Sequence, residues 1–199
     1  LGPARSLRHD VYETLFGLIA STGLRVSEAL GLCVADVDFK RGMLRIRQSK
    51  LGKSRQVPVH ASTLEALRRY RRRRDLWIDS DGETPFFVST RGQRQGQRLG
   101  ERQVHRVFAE LRVDLGWRNR GAHHAPRIHD LRHSFVVRRI VLWHRQGVDI
   151  DQAMLSLSTY VGHTNVTNTY WYLSAVPELM ALAAGRFESF SGKAAVPHE

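Results

Sequence analysis

The sequence predicts an α+β fold, mainly α-helical with one small three-stranded antiparallel sheet, and three observations carry the prediction. Apolar residues recur at helical spacing in most segments. Alternation of apolar and polar residues is confined to one stretch, "VADVDFKRGMLRIRQSKLGKSRQVPV", from Val34 to Val59. Two turn-like breaks, "KRG" and "KLGKS", divide that stretch into three. With 199 residues the chain can build one sizeable domain, or at most two small ones, without disulfides or metal.

The elements follow in order. "RHDVYETLFGLIASTG" sets Val11, Leu15, Leu18 and Ile19 on one face before a Gly stop, the pattern of an amphipathic helix. "RVSEALGLCV" resumes as a short second helix, and the three strands come next. "ASTLEALRRYRRRRDLW" returns to helix behind a Ser/Thr cap signal. "DGETPFFVSTRGQRQGQRLG" reads as a short extended piece and a Gly/Gln/Arg-rich loop. Helical spacing then returns in "GERQVHRVFAELRVDLG", "HDLRHSFVVRRIVLWHRQG", "DIDQAMLSLSTYVG" and "VPELMALAAGRFESF". A domain over residues 1–190 and a loose tail over 191–199 are expected.

Charge narrows the function classes. The formal net charge is +12, from 31 Lys and Arg against 19 Asp and Glu, so a broad positive field should favour polyanions, nucleic acid first. No long uncharged apolar run and no signal-peptide pattern is present, so a cytoplasmic protein without a membrane partner is expected. The single Cys33 cannot form an internal disulfide, and its apolar setting "ALGLCV" reads as a buried, inert thiol.

Several polar clusters are open to more than one reading. In "TGLRVSEAL", Glu28 follows Arg25 by three residues on one helical side, which taken alone reads as an ion pair worth a few tenths of a kcal/mol. "HDLRHSF" sets His129 and Arg132 three apart, with His133 four from His129. Such a His pair can bind zinc, and His123 and His124 could add ligands. However, the Glu of the metalloprotease arrangement is missing and no Cys or carboxylate cluster completes a site. "NTYWYLSAVPELM" holds Tyr170 and Tyr172, either of which could be a core aromatic or a nucleophile.

Taken in order, "TGLRVSEALGL", "HDLRHSF", "VGHTN" and the tyrosine segment resemble the catalytic domain of the tyrosine recombinases, the phage-integrase-type site-specific recombinases. Each box is weak alone, and four in order over Arg8 to Phe187 are strong. The resemblance implies the DNA breaking-rejoining fold, with Arg25 as the first catalytic arginine and Glu28 as its supporting acid. It implies an active lysine in the turn between the second and third strands, where Lys50 fits the commoner placement and Lys53 is the alternative. His129 and Arg132 match the family's His-x-x-Arg pair, and His163 matches a position taken by His or Trp. The nucleophile comes nine residues after it, at Tyr172. Tyr170 then becomes an aromatic support beside Trp171, because residues two apart cannot both aim at one phosphate.

Elementary chemistry shows why such a set is needed. A tyrosine hydroxyl has an unperturbed pKa of about 10, so it attacks a phosphodiester only if its proton is drawn off and the phosphorus made electrophilic. Charge gathers on two non-bridging oxygens, and the planar donor forks of Arg25 and Arg132 suit them. Fixed guanidinium charge does what magnesium does in other phosphoryl-transfer sites, so neither metal nor cofactor is expected. A lysine on a strand turn can protonate the leaving deoxyribose oxygen. His129 and His163 can donate to phosphate, and His129 can also take the tyrosine proton. The expected product is a 3′-phosphotyrosine ester and a free 5′ hydroxyl, rejoined without ATP.

The resemblance also implies double-stranded DNA as partner, a homotetramer on paired recombination sites, and association with prokaryotic nucleoid, plasmid or phage DNA. Arg55, Arg91, Arg94, Arg98 and Arg102 are candidates for DNA contact, the last four in or beside the Gly/Gln/Arg-rich loop. "RRYRRRR", Arg68 to Arg74, reads as a solvated helix end favoured by the dipole or as a phosphate-facing stripe. Trp143 and Trp171 read as core. Family members usually carry a preceding core-binding domain that closes around DNA, and this chain starts almost at the first catalytic helix, so that domain is expected to be absent from it. A relaxing topoisomerase of the same chemistry, or a catalytically silent DNA-binding protein of the same fold, are the alternative functions.

Overall fold

The apolar face of the first segment becomes the axis of the core. In the computed structural model, which describes residues 7–47, 54–119, 125–162 and 165, helix α1 spans Leu7–Thr22. Val11, Leu15, Leu18 and Ile19 are no more than 1% exposed, and burying each such side chain contributes about 1.5–3 kcal/mol. The helix stops where Gly23 turns left-handed at φ 66°, a conformation that glycine adopts without steric cost. A second short helix, α2, follows at Val26–Gly31.

The meander forms as expected, with strands β1 (Val37–Asp38), β2 (Met43–Ile46) and β3 (Arg55–Pro58) in the antiparallel order β1-β2-β3. Register pairs Val37 with Leu44 and Leu44 with Val57. One buried row therefore crosses the sheet, while Arg45 and Gln56 point to solvent. The first strand is shorter than the alternation from Val34 suggested. Val34–Asp36 forms a 3-10 turn instead, closed by the Asp36 carboxylate, which accepts the Cys33 amide at 3.0 Å. Cys33 is itself buried, in agreement with the inert reading.

Helix α3 (Ala61–Arg74) packs on α1. Its cap is not a Ser or Thr: His60 holds the extended cap conformation, and its ring nitrogen accepts the Ser62 amide at 3.3 Å. Helical geometry starts one residue ahead of Ser62, which leaves that serine inside the first turn. The arginine run ending α3 is neither uniformly solvated nor uniformly available. Arg68 and Arg72 pair with Glu65, Arg71 with Asp75, and Arg73 with Asp10. Arg74 is fully buried, donating to the carbonyls of Pro85 and Phe86 at 3.3 and 3.4 Å and pairing with Asp75 at 2.9 Å. Beside it Tyr70 stacks on Phe87 with ring centroids 5.4 Å apart. Helix α4 (Glu101–Asp114) buries Val104, Val107 and Phe108, with Phe108 edge-on to Phe16 of α1 at 5.4 Å.

The chain divides into two compact units, Leu1–Phe135 and Val136–Glu199, and the boundary falls inside helix α5 (Ile128–Arg145). In the second unit, helix α6 (Ile150–Val161) is capped by Asp149, whose side chain accepts the amides of Asp151 and Gln152, and ends on a left-handed Gly162. Met154, Leu157 and Val161 are buried along it. Trp143 is half-buried, with the Arg139 guanidinium 5.9 Å from its ring centroid. The predicted helix "VPELMALAAGRFESF" and the tail lie outside the described residues.

Among the described glycines, Gly23 is the one where an added side chain would clash. A Cβ there would stand 2.5 Å from Phe135 Cδ1, at φ 66°. Gly23→Ala should cost about 2–4 kcal/mol, adding left-handed strain to overpacking. Urea unfolding measures it, and a loss under about 0.5 kcal/mol, the size of an ordinary surface substitution, would contradict this reading.

Candidate active site

The turn from α1 to α2 gathers Arg25, Glu28 and Arg132. Arg25 is the N-cap residue of α2, with extended backbone at φ −68° and ψ 150°. Glu28 in the first turn accepts the Arg25 amide through Oε2 at 3.0 Å and the Arg25 guanidinium through Oε1 at 3.0 Å. The same carboxylate is gripped from β3, where Arg55 donates Nη1 to Oε1 at 2.8 Å and Nη2 to Oε2 at 2.9 Å. One carboxylate thus receives four donors from two elements distant in sequence. The Glu28 side chain is only 7% exposed, against 29% for Arg25 and 13% for Arg55.

Burial pushes the Glu28 pKa up, but hydrogen bonds from Arg55 and the Arg25 amide, with both guanidinium charges, hold it below the ordinary carboxylate value. Because the folded pKa is depressed, the stability this group contributes is present above its unfolded value. It is lost as pH falls through the folded one.

Arg132 reaches the same turn from α5. It is 1% exposed, and its Nη1 donates to the carbonyl of Gly23 at 2.5 Å, two residues before Arg25 in the chain. The left-handed Gly23 ends α1 while its carbonyl receives that guanidinium, and the ring of Phe135 closes over it. Two arginines 107 positions apart are therefore anchored on one short turn. His129 and His133, one helical turn apart on α5, pack edge to face with ring centroids 4.5 Å apart. Partial burial, then the His133 ring and the Arg132 charge, lower the His129 pKa; burial also lowers that of His133. His129 is accordingly a neutral imidazole at neutral pH.

The remaining expected residues are distributed unevenly. Lys50, Lys53, His163, Tyr172, Tyr170 and Trp171 lie outside the described residues, as do His123 and His124. Strands β2 and β3 flank the segment that holds both lysines. Of the candidates for DNA contact, Arg55 is engaged with Glu28, and Arg98 donates to the Leu30 carbonyl and lies 3.5 Å from Cys33 Sγ. Arg91 and Arg94 are exposed at a 3-10 turn over Gly92–Arg94, and Arg102 is exposed in the first turn of α4. Sequence reasoning missed the clamp at the far end of β2. There the buried Asp36 accepts Arg45 and Arg47 at 3.0 and 2.6 Å, and Arg47 also grips Glu83 through two bonds. Only the abrupt acid in an apolar "CVADV" hinted at it.

A family model described as "Phage integrase family" matches residues 6–178. A Sinorhizobium fredii protein named as an integrase/recombinase, y4rB, is 42% identical over 182 residues, 92% of this chain and 57% of its own length. The tyrosine recombinase XerC of Chromobacterium violaceum is 34% identical over 160 residues, 80% of this chain and 46% of its own length. The chain thus spans about half the length of the curated relatives it matches. Among solved structures, a XerA recombinase aligns with TM-score 0.62 at 23% identity, covering 100% of this chain and 68% of the other. The XerH site-specific recombinase, crystallised in a post-cleavage complex with a palindromic difH substrate, aligns with TM-score 0.67 at 22% identity, covering 94% and 48%. These similarities show a shared fold.

The histidine pair makes a direct prediction. Since the folded pKa of His129 lies under its ordinary 6.5, the neutral ring is the stabilised form. That stability is complete above the unfolded value and is lost as pH falls through the folded one. An NMR titration should give a His129 midpoint below 6.5, moved upward by His133→Asn. A midpoint at or above the ordinary value would show that the ring is not desolvated as described.

Proposed function

This chain belongs to the phage integrase family, and from that premise we propose that it carries the catalytic centre of a site-specific DNA recombinase that works through a transient 3′-phosphotyrosine. The observation that supports this best is the anchoring of Arg25 and Arg132 on one turn, each by a fixed partner, Glu28 and the Gly23 carbonyl. Positioned cations stabilise charge that develops in the transition state and need no reorganisation at the moment of reaction.

In the proposed step, Tyr172 Oη bonds to phosphorus as the bond from phosphorus to the 5′ oxygen breaks. The tyrosine proton passes to His129, whose neutral ring can accept it. Lys50, or Lys53 in its place, gives a proton to the departing 5′ oxygen. Arg25, Arg132 and His163 hold the non-bridging oxygens. The ester conserves the energy of the broken bond, so a 5′ hydroxyl from another strand can reverse the reaction and complete exchange. The DNA partner agrees with the net charge of +12, and assembly as a tetramer on paired sites belongs to the same proposal. Among the described residues, no helix is long and apolar enough to cross a membrane.

Incubation with a nicked suicide substrate, carrying a site first selected from random DNA, should yield a covalent adduct stable to denaturant. Tyr172→Phe should abolish it while Tyr170→Phe retains it, and an adduct that survives Tyr172→Phe would remove Tyr172 as nucleophile. Replacement of the leaving 5′ oxygen by sulfur, which departs without an acid, should rescue Lys50→Ala and leave Arg132→Ala inactive. Rescue of Lys53→Ala alone would transfer the acid role to that lysine. Relaxed plasmid with no joined pair of sites would assign a topoisomerase instead.

A further inference from the structure

The β2–β3 ladder closes on the pair Ile46 and Arg55, so Arg47 stands one residue past the last rung and three before Lys50. Its guanidinium is engaged at all three nitrogens. Nε donates to Asp36 Oδ1 at 2.6 Å, and Nη1 and Nη2 donate to Glu83 Oε2 and Oε1 at 2.7 and 3.0 Å. We propose that Arg47 is a positioning residue for the acid step, setting where the lysine-bearing segment leaves the sheet relative to Arg25, an inference that rests on a lysine of that segment protonating the leaving 5′ oxygen.

Asp36 connects two parts of the reacting set. Its Oδ2 accepts the amide of Cys33, two residues after α2 ends, and its Oδ1 accepts Arg47. Arg25 opens that same helix of six residues. One carboxylate therefore fixes both the exit of the helix that begins at the first arginine and the entry to the segment that holds the acid. The Asp36 side chain is 1% exposed, and a carboxylate so desolvated must keep its charged and hydrogen-bonding partners. Glu83 meets the other side of the Arg47 guanidinium fork to fork, which sets its orientation as well as its place. Phosphate would have to compete with two acids for this group. A chain extends by at most about 3.6 Å per residue, so an anchored Arg47 confines the Lys50 backbone to within about 11 Å of it. The clamp thus limits where the acid can stand with respect to the turn that holds the arginines.

A phosphate contact and a merely structural ion pair are the rival roles, and single-turnover adduct formation on the suicide substrate separates them when the leaving atom is varied. With oxygen leaving, Arg47→Ala should lower the rate by about 10–100-fold, up to the loss expected when a reacting group is displaced by about an ångström. With sulfur leaving, which needs no acid, Arg47→Ala should react at the wild-type rate. A defect of equal size on both substrates overturns the proposal, because it assigns Arg47 to the phosphate or the fold, and so does a wild-type rate with oxygen. Loss of the lysine should also mask loss of the arginine. With oxygen, the double Arg47→Ala, Lys50→Ala should be no slower than Lys50→Ala, whereas multiplied defects would show independent action and overturn it. If sulfur rescues Lys53→Ala alone, the double is made at that lysine. The slope of log affinity against log salt should not change in Arg47→Ala; a decrease of about one phosphate contact would assign Arg47 to DNA instead. Glu83→Gln removes an exposed partner of little weight in stability and should show a smaller loss with oxygen that sulfur again erases. It carries the comparison if Arg47→Ala fails to fold by its melting curve, and no loss, or a loss that persists with sulfur, then overturns the proposal. Failure of sulfur to rescue either lysine variant would sink the lysine reading itself, a result distinct from rescue of a lysine variant without rescue of Arg47→Ala, which sinks only the role of Arg47.

Discussion

The Glu28 carboxylate is the constraint on which the site depends. A buried negative charge is tolerated only when its lone pairs are filled and its charge is balanced, and here four donors from Arg25 and Arg55 do both. Fixing Glu28 fixes the cap of α2, because the same carboxylate holds the Arg25 amide. It also fixes the approach of β3, which supplies Arg55. Helix α2 and strand β3 are thereby tied together by a single ionised group.

Arg132 extends this logic to α5. A guanidinium at 1% exposure needs strong acceptors, and the Gly23 carbonyl is one because the left-handed end of α1 frees it from the helical ladder. The glycine serves twice, since its lack of a side chain also admits the Phe135 ring. Termination of a helix, seating of a buried cation and close approach of an aromatic are thus one local solution. Its consequence is chemical, because it brings a second arginine to the turn that already holds the first.

A parallel clamp acts on the other side of the sheet. Asp36 interrupts the first strand to cap the Cys33 amide, then accepts Arg45 and Arg47, and Arg47 passes the constraint to Glu83. Burial raises the Asp36 pKa, but the Cys33 amide and the two guanidiniums outweigh it and hold the carboxyl below its ordinary value. The segment with Lys50 and Lys53 is flanked on its upstream side by Arg47 in this network and on its downstream side by Arg55 in the Glu28 network. Much of the chain's arginine is consequently internal reinforcement, as the run at the end of α3 also shows, and net charge alone overstates how much of it faces a polyanion.

The sequence by itself determined the helices among the described residues, the meander and the pairing of Arg25 with Glu28, because each rests on short-range periodicity or on residues within one turn. Val11, Leu15, Leu18 and Ile19 are buried where a period of 3.6 puts them, and Val37, Leu44 and Val57 align where a period of two does. The His129, Arg132 spacing was legible for the same reason. What only the tertiary structure decided are the partners across long sequence separations: Arg55 with Glu28, Arg132 with the Gly23 carbonyl, Arg73 with Asp10, and Arg47 with Glu83. No local pattern distinguishes an arginine that will meet a carboxylate 27 residues away from one that will meet water. That choice is made by chain topology, which selects which charges are brought together and leaves desolvation to demand that they match.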